Sequence, residues 1–262
     1  VIGVGNIGTI HTEIYSSLAN VDLTAVCDID QEKADTAASK FDCKAFYSVE
    51  SLLAEMPMEI ASVCTKGEEN GGDHYLPTVQ LLEAGIHVLG ENPVSNYIEH
   101  ARLMTKLAEE KNLPRIMSIQ NVYSLVNRVF DIHNSEVSIR ENCGLLAYSP
   151  LAGGRLSGKY IGGKNPKKAR YTLWPRRFSR HHTERGENAI EKYVNLAHKL
   201  GIAPSTFANA FVNDRPFVTS NIIGATTMEQ LKENIDSIDI TLSKEVLKEI
   251  EDIHLSDPNP CV

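Results

Sequence analysis

Three glycines and one aspartate carry the clearest chemistry in this sequence. Gly3, Gly5 and Gly8 form a G-x-G-x-x-G within Gly3-Val4-Gly5-Asn6-Ile7-Gly8, directly after two apolar residues. In that spacing the first glycine makes a tight strand-to-helix turn, and the second lets a pyrophosphate approach the backbone. The third lets the helix pack close to its strand. The N–H groups that open the helix, around Asn6 and Ile7, have no internal partners, and the helix dipole adds partial positive charge, so an anion fits there. Ile10, Ile14 and Leu18 then recur at helical spacing, and the run from Asp22 to Asp28 reads as a second strand. Asp28 ends that strand about 20 residues past the glycines, where a carboxylate accepts hydrogen bonds from ribose hydroxyls. The same charge repels a 2′-phosphate and so predicts NAD rather than NADP at this site. The alternative is a plain glycine turn followed by a solvated aspartate.

Composition sets the frame. With 262 residues, 42% hydrophobic and 23% charged, the chain can bury a core as one large α/β domain or two small ones. No apolar run approaches about 18 residues and no charged segment leads into an apolar one, which predicts neither a membrane span nor a signal peptide. Val1 lies almost inside a strand, which predicts a few residues ahead of it. The five cysteines (27, 43, 64, 143 and 261) lack C-x-x-C spacing and read as reduced core thiols of a cytoplasmic protein. No metal site is expected. The net charge of −8 is uneven: residues 159–185 hold nine Lys/Arg against Glu184 alone. Tyr160, Tyr171, Trp174 and Phe178 are interleaved there, a mixture that could bind nucleic acid, but the acidic remainder argues against that partner. A loop closing over a dinucleotide phosphate, or a merely solvated loop, remains.

The chain continues as short strands alternating with helices. Helical stretches are expected at 33–41 and 50–54, and strands at 44–47, 60–65 and 87–91. A further helix opens at His74, and Asn96 with Glu99 has the spacing of a capping box. Taken together, residues 1–112 resemble the nucleotide-binding domain of the glucose–fructose oxidoreductase and inositol dehydrogenase family. The pieces that match are the opening glycines, Cys27-Asp28-Ile29-Asp30, the helix at His74, and the run from Ala84 to Pro93. That resemblance adds Thr65, Glu91 and Asn92 to the residues expected to touch the dinucleotide. In the family this last motif ends Glu-Lys-Pro, with the lysine beside nicotinamide and substrate. Here Asn92 takes its place, and an amide can hydrogen-bond but cannot carry charge or transfer a proton at neutral pH.

After Pro114 the resemblance changes. Residues 114–262 resemble the last three strand–helix units of an aldo-keto reductase barrel. The likeness is carried by the run from Arg115 to Leu125, by Gly144 to Tyr160, by Asn221 to Asn234, and by the closing helix from Leu242 to Ile250. It implies that Gln120 reaches the nicotinamide carboxamide and Tyr148 stacks on the ring. Ser149, Leu151, Gly153 and Lys159 would hold the pyrophosphate, and Ala225, Thr226, Gln230, Glu233 and Asn234 would surround the adenosine and any 2′-phosphate. NADP is therefore a second possible cofactor, at this C-terminal half-site. The tyrosine acid of that family, with its lysine, aspartate and histidine, comes from the first four barrel units, which the Rossmann-like half replaces. No catalytic residue is assigned.

The expected architecture is α/β, with a Rossmann-type part at 1–113 and a partial barrel at 114–262. An open, all-parallel sheet ordered 3-2-1-4-5-6-7-8 follows from the Rossmann reversal and right-handed crossovers. The alternative is a closed eight-stranded barrel. In an open sheet the face built from alternate residues of strands 6 to 8 stays apolar, which predicts self-association, most simply a dimer. The expected function is dinucleotide binding by a chimera of oxidoreductase descent with little or no turnover. The alternative is an active NAD(P)-dependent oxidoreductase on a small carbonyl or polyol.

Overall fold

The computed structural model of the chain describes residues 1–66, 74–91, 94–174 and 181–262. These fall into two compact units, Val1–Ile116 and Met117–Val262, each with its own parallel sheet.

In the first unit α1 (Asn6–Ser17) precedes β1 (Ala25–Cys27), α2 (Gln31–Phe41), β2 (Lys44–Phe46) and α3 (Val49–Glu55). Then come β3 (Ile60–Val63), α4 (Tyr75–Glu83), β4 (His87–Gly90) and α5 (Ile98–Glu110). β1 pairs with β2, and β3 with β4, both parallel. Ile2 bridges Cys27 on one side and Val63 on the other, so the opening residues are the middle strand. The order is β2-β1-Ile2-β3-β4, which is the Rossmann 3-2-1-4-5 when the Ile2 strand is counted as the first. Local chemistry fixes the helix ends: Asp30 accepts from the Lys33 N–H at 3.3 Å and Ser48 from the Ser51 N–H at 3.2 Å.

α1 buries Gly8 and Thr12, while Ile7, Ile10 and Ile14 are each about half exposed. Contact with the strand below is made where a side chain is missing, and that selects the Gly8 face. One local expectation is corrected: the capping box at Asn96 does not form. Tyr97 is the residue before α5, and its N–H donates instead to Ser95 Oγ at 3.1 Å.

In the second unit β5 (Ser118–Val122), α6 (Asn134–Arg140), β6 (Gly144–Tyr148) and α7 (Arg170–Leu173) are followed by α8 (Glu184–Lys199) and α9 (Pro204–Asn213). β7 (Val218–Ile222), α10 (Met228–Asp236) and α11 (Lys244–Ser256) complete it. The three strands pair in parallel in the order β5-β6-β7. Leu145 and Ala147 of β6 are fully buried, and their core includes Tyr123, Phe207, Phe211 and Phe217. α9 is buried from Ser205 to Val212, whereas α8 shows the one-sided burial of an amphipathic helix.

The strands read as one run of eight thus form two open, all-parallel sheets that keep the expected internal orders. Neither closes into a barrel, so the closed alternative is not adopted; the first five strands retain the reversed order that a barrel excludes. None of the five cysteines is in a disulfide, and Cys27, Cys64 and Cys261 are buried. Among the described residues no helix is long and apolar enough to cross a membrane.

Candidate functional site

The glycine turn is built as its spacing requires. Gly3 has φ +82°, and a Cβ there would lie 2.7 Å from the Thr65 backbone nitrogen. A Cβ on Gly8 would run into the Gly3 carbonyl oxygen, so α1 sits directly on the turn. Around Gly5 the situation is reversed: among the described residues, an added Cβ would meet nothing within 4 Å. Gly5 precedes α1 and offers no side-chain cap, and the first intrahelical bond runs from the Thr9 N–H to the Gly5 carbonyl at 2.9 Å. Gly5, Asn6 and Ile7 are exposed, at the positive end of the α1 dipole.

Asp28 lies beside this turn. Its Oδ2 accepts from the Val4 N–H at 2.8 Å and its Oδ1 from the Asp30 N–H at 3.0 Å. Each carboxylate oxygen keeps a second acceptor position, so Asp28 can brace the turn and still receive a hydroxyl. At the ends of the neighbouring strands, Thr65 Oγ1 lies 3.3 Å from His74 Nδ1, and Glu91 Oε1 lies 3.0 Å from His11 Nε2. Asn92 lies outside the described residues.

In the second unit the parallel register pairs Gln120 with Leu146, and Val122 with Tyr148. Gln120 and Tyr148 therefore share a face of the sheet, opposite the one on which Leu145 and Ala147 meet the helices. Ser149 and Leu151 follow at the C-terminal end of β6. A Cβ on Gly153 would lie 2.8 Å from Tyr171 Oη, and one on Gly154 would lie 3.1 Å from Lys159 Nζ. Lys159 is half-buried, and burial together with Arg170 holds its ammonium below the ordinary lysine range. This loop thus brings a desolvated cation next to small residues.

The third group is occupied by its own side chains. Gln230 Oε1 accepts from the Thr226 N–H at 2.9 Å and the Thr226 hydroxyl at 3.0 Å. Asn234 is buried, accepts from Asn209 Nδ2 at 2.9 Å and donates to the Gly224 carbonyl at 3.3 Å. Glu233 accepts from the Ser205 hydroxyl at 2.6 Å.

One cluster has no short-range signature in the sequence. Arg155 is buried, with its guanidinium 4.9 Å from the Tyr171 ring centre and 5.7 Å from that of Tyr160. Arg155 Nη2 lies 2.6 Å from His182 Nδ1 and 3.3 Å from Glu187 Oε1. Burial pushes the Tyr171 hydroxyl up to about 12. A cavity of about 380 Å³ is lined by these residues and by Lys164 and Asn165. Arg155 stands in the middle of a recognisable motif, but its partners are 27 and 32 residues away. Among the described residues no His/Cys/Asp/Glu group could hold a metal.

Two families of known proteins match the chain, and their matches overlap at residues 91–118. Residues 91–254 match the aldo/keto reductase family, and residues 1–118 match the oxidoreductase family with an NAD-binding Rossmann fold. Protein tas of Escherichia coli (strain K12) is 49% identical over 148 residues, covering 56% of this chain and 42% of that protein. UDP-N-acetylglucosamine 3-dehydrogenase of Acidithiobacillus ferrooxidans is 33% identical over 113 residues, 43% of this chain and 34% of the enzyme. The solved structure of the same-named Acidithiobacillus ferrooxidans enzyme overlaps 43% of this chain and 33% of its own at 33% identity, with a TM-score of 0.38. The chain spans less than half the length of these relatives. The match over residues 91–254 takes in more than half of the sequence, and the chain belongs to the aldo/keto reductase family.

Proposed function

We propose that this protein binds NAD(H) at the glycine turn of its first unit and has little or no turnover. The observation that carries the reading is the empty space over Gly5, faced by the uncapped first turn of α1 and flanked by the Asp28 carboxylate. An anion fits the first feature and a ribose the second. Low turnover follows from the residues present: Asn92 stands where one family has its lysine, and residues 1–112 carry no motif of the other family's tyrosine acid. The substrate, if one is turned over, is a small carbonyl or polyol. The protein is read as a cytoplasmic homodimer that does not bind nucleic acid, with its functional boundary at residues 113 and 114.

A second reading keeps an NADP half-site in the second unit, favoured by Lys159 with its desolvated ammonium beside Gly154. Titrating NADH and NADPH separately while following nicotinamide fluorescence tests both. NADH is expected to bind more tightly by about tenfold or more, equivalent to about 1.4 kcal/mol. Equal or tighter NADPH binding would contradict the assignment to Asp28. Saturable turnover of an aldehyde or polyol, lost in Asn92→Ala, would overturn the low-turnover reading.

A further inference from the structure

We propose that His11 is a positioning residue for the nicotinamide end of the dinucleotide site, holding Glu91 from the first helix. The inference rests on the NAD(H) reading above. His11 stands on α1 nearly two turns past Gly5, and both of its ring nitrogens are engaged. Nδ1 lies 2.8 Å from Ser62 Oγ on β3, and Nε2 lies 3.0 Å from Glu91 Oε1, one residue past β4. Ser62 is buried, and its Oγ also lies 3.5 Å from Cys64 Sγ. The edge of the Tyr15 ring packs on the imidazole with centroids 5.9 Å apart. One side chain therefore ties the helix that opens on the glycine turn to the next two strands of the sheet.

The sheet order says which end of the ligand this affects. Asp28 follows β1 and Glu91 follows β4, and the strand of Ile2 with β3 lies between them. At about 4.8 Å per strand the two carboxylates are separated by three spacings, roughly 14 Å across the sheet. A ribose on Asp28 puts the adenosine on that side and the pyrophosphate over Gly5. The nicotinamide riboside then continues toward Glu91.

The chemistry of the ring fits a positioning role. With the Ser62 hydroxyl donating to Nδ1, the neutral imidazole carries its proton on Nε2 and donates to Glu91; the imidazolium donates there too. In either state Glu91 spends one acceptor position on His11 and keeps the others for the N–H groups of the nicotinamide carboxamide. Without the imidazole, a carboxylate whose side chain is 37% exposed is free to turn toward water.

The test uses the full chain and two ligands, NADH and ADP-ribose, which lacks the nicotinamide. His11→Ala is expected to weaken NADH by about tenfold, as loss of a hydrogen bond to a charged group does, and to leave ADP-ribose within about twofold. His11→Gln, whose amide N–H can still reach Glu91, should recover part of the NADH loss. Glu91→Gln should reproduce the His11→Ala pattern, and the double variant should be no worse than either single one. Equal losses on both ligands would mean general damage to α1 and would overturn the proposal, as would unchanged binding of both. If His11→Ala does not fold, His11→Gln and Glu91→Gln carry the same comparison. Failure of the underlying reading looks different: the parent then binds neither ligand, and the proposal falls with it.

Discussion

The two units treat their polar groups in opposite ways. Around Gly5 the first unit leaves the opening of α1 exposed and without a side-chain cap, and Asp28 is braced but not saturated. Around α10 the second unit answers its own needs: Gln230 caps Thr226, and Asn234 is held between Asn209 and Gly224. A ligand entering the first place forms bonds without breaking protein ones. A ligand at the second must exchange bonds already made, so the net gain per hydrogen bond falls toward zero. Two family likenesses, each implying dinucleotide contacts, are therefore not equivalent once the local bonding is counted. The cores differ as well. The second unit has one continuous, aromatic-rich cluster, whereas the first is divided among three smaller ones dominated by alanine and valine.

The sharpest way to probe this contrast is to damage each unit separately. Phe211 is almost fully buried and stacks on Tyr123 at 6.0 Å between centroids. Phe211→Ala should cost about 3–5 kcal/mol, read by denaturant unfolding, and leave NADH binding intact. Loss of NADH binding in a folded Phe211→Ala protein would break the separation. Gly8→Ala drives a methyl group into the Gly3 carbonyl and should cost about 3 kcal/mol, because backbone, unlike a flexible side chain, cannot step aside. Here NADH binding should fail first.

Smaller effects sharpen the same comparison. Gln230→Ala removes the acceptor shared by the Thr226 N–H and hydroxyl, and should lower stability by about 1 kcal/mol without changing NADH affinity. Weaker NADH binding there would move the site to the second unit. The smallest expected effect is on pH. Burial, with Arg128 nearby, lowers the His254 pKa from its ordinary 6.5. The folded state then takes up this proton less readily than the unfolded chain, so stability present above pH 6.5 is lost as pH falls below it. Thermal melts between about pH 7 and 5 should show a shallower decline for His254→Gln than for the parent. An identical decline would remove His254 from the account.

Some of this was legible in the residues and some was not, for identifiable reasons. Gly3 and Gly8 were readable because a backbone conformation and a close approach admit no other residue type. The 3-2-1-4-5 order followed from the same turn and from crossover handedness. Periodicity finds α1 through Ile10, Ile14 and Leu18 but does not say which face is buried, because a period reports the helix and not its neighbour. Asn96 had the right spacing for a cap one residue too early. The Arg155, His182 and Glu187 cluster and the buried Asn209 depend on partners 25 or more residues away, which no local pattern encodes. Gln120 and Tyr148 are an intermediate case: family likeness names them, and the β5–β6 register puts them on one face.

The most direct measurement compares NADH titrations of the parent, Gly5→Val and Lys159→Ala. An added side chain at Gly5 has room in the protein but occupies the place read as the pyrophosphate's, so Gly5→Val should fold normally and lose NADH binding. Lys159→Ala should bind NADH as the parent does. If Gly5→Val binds NADH as tightly as the parent while Lys159→Ala does not, the dinucleotide belongs to the second unit and the central claim is wrong.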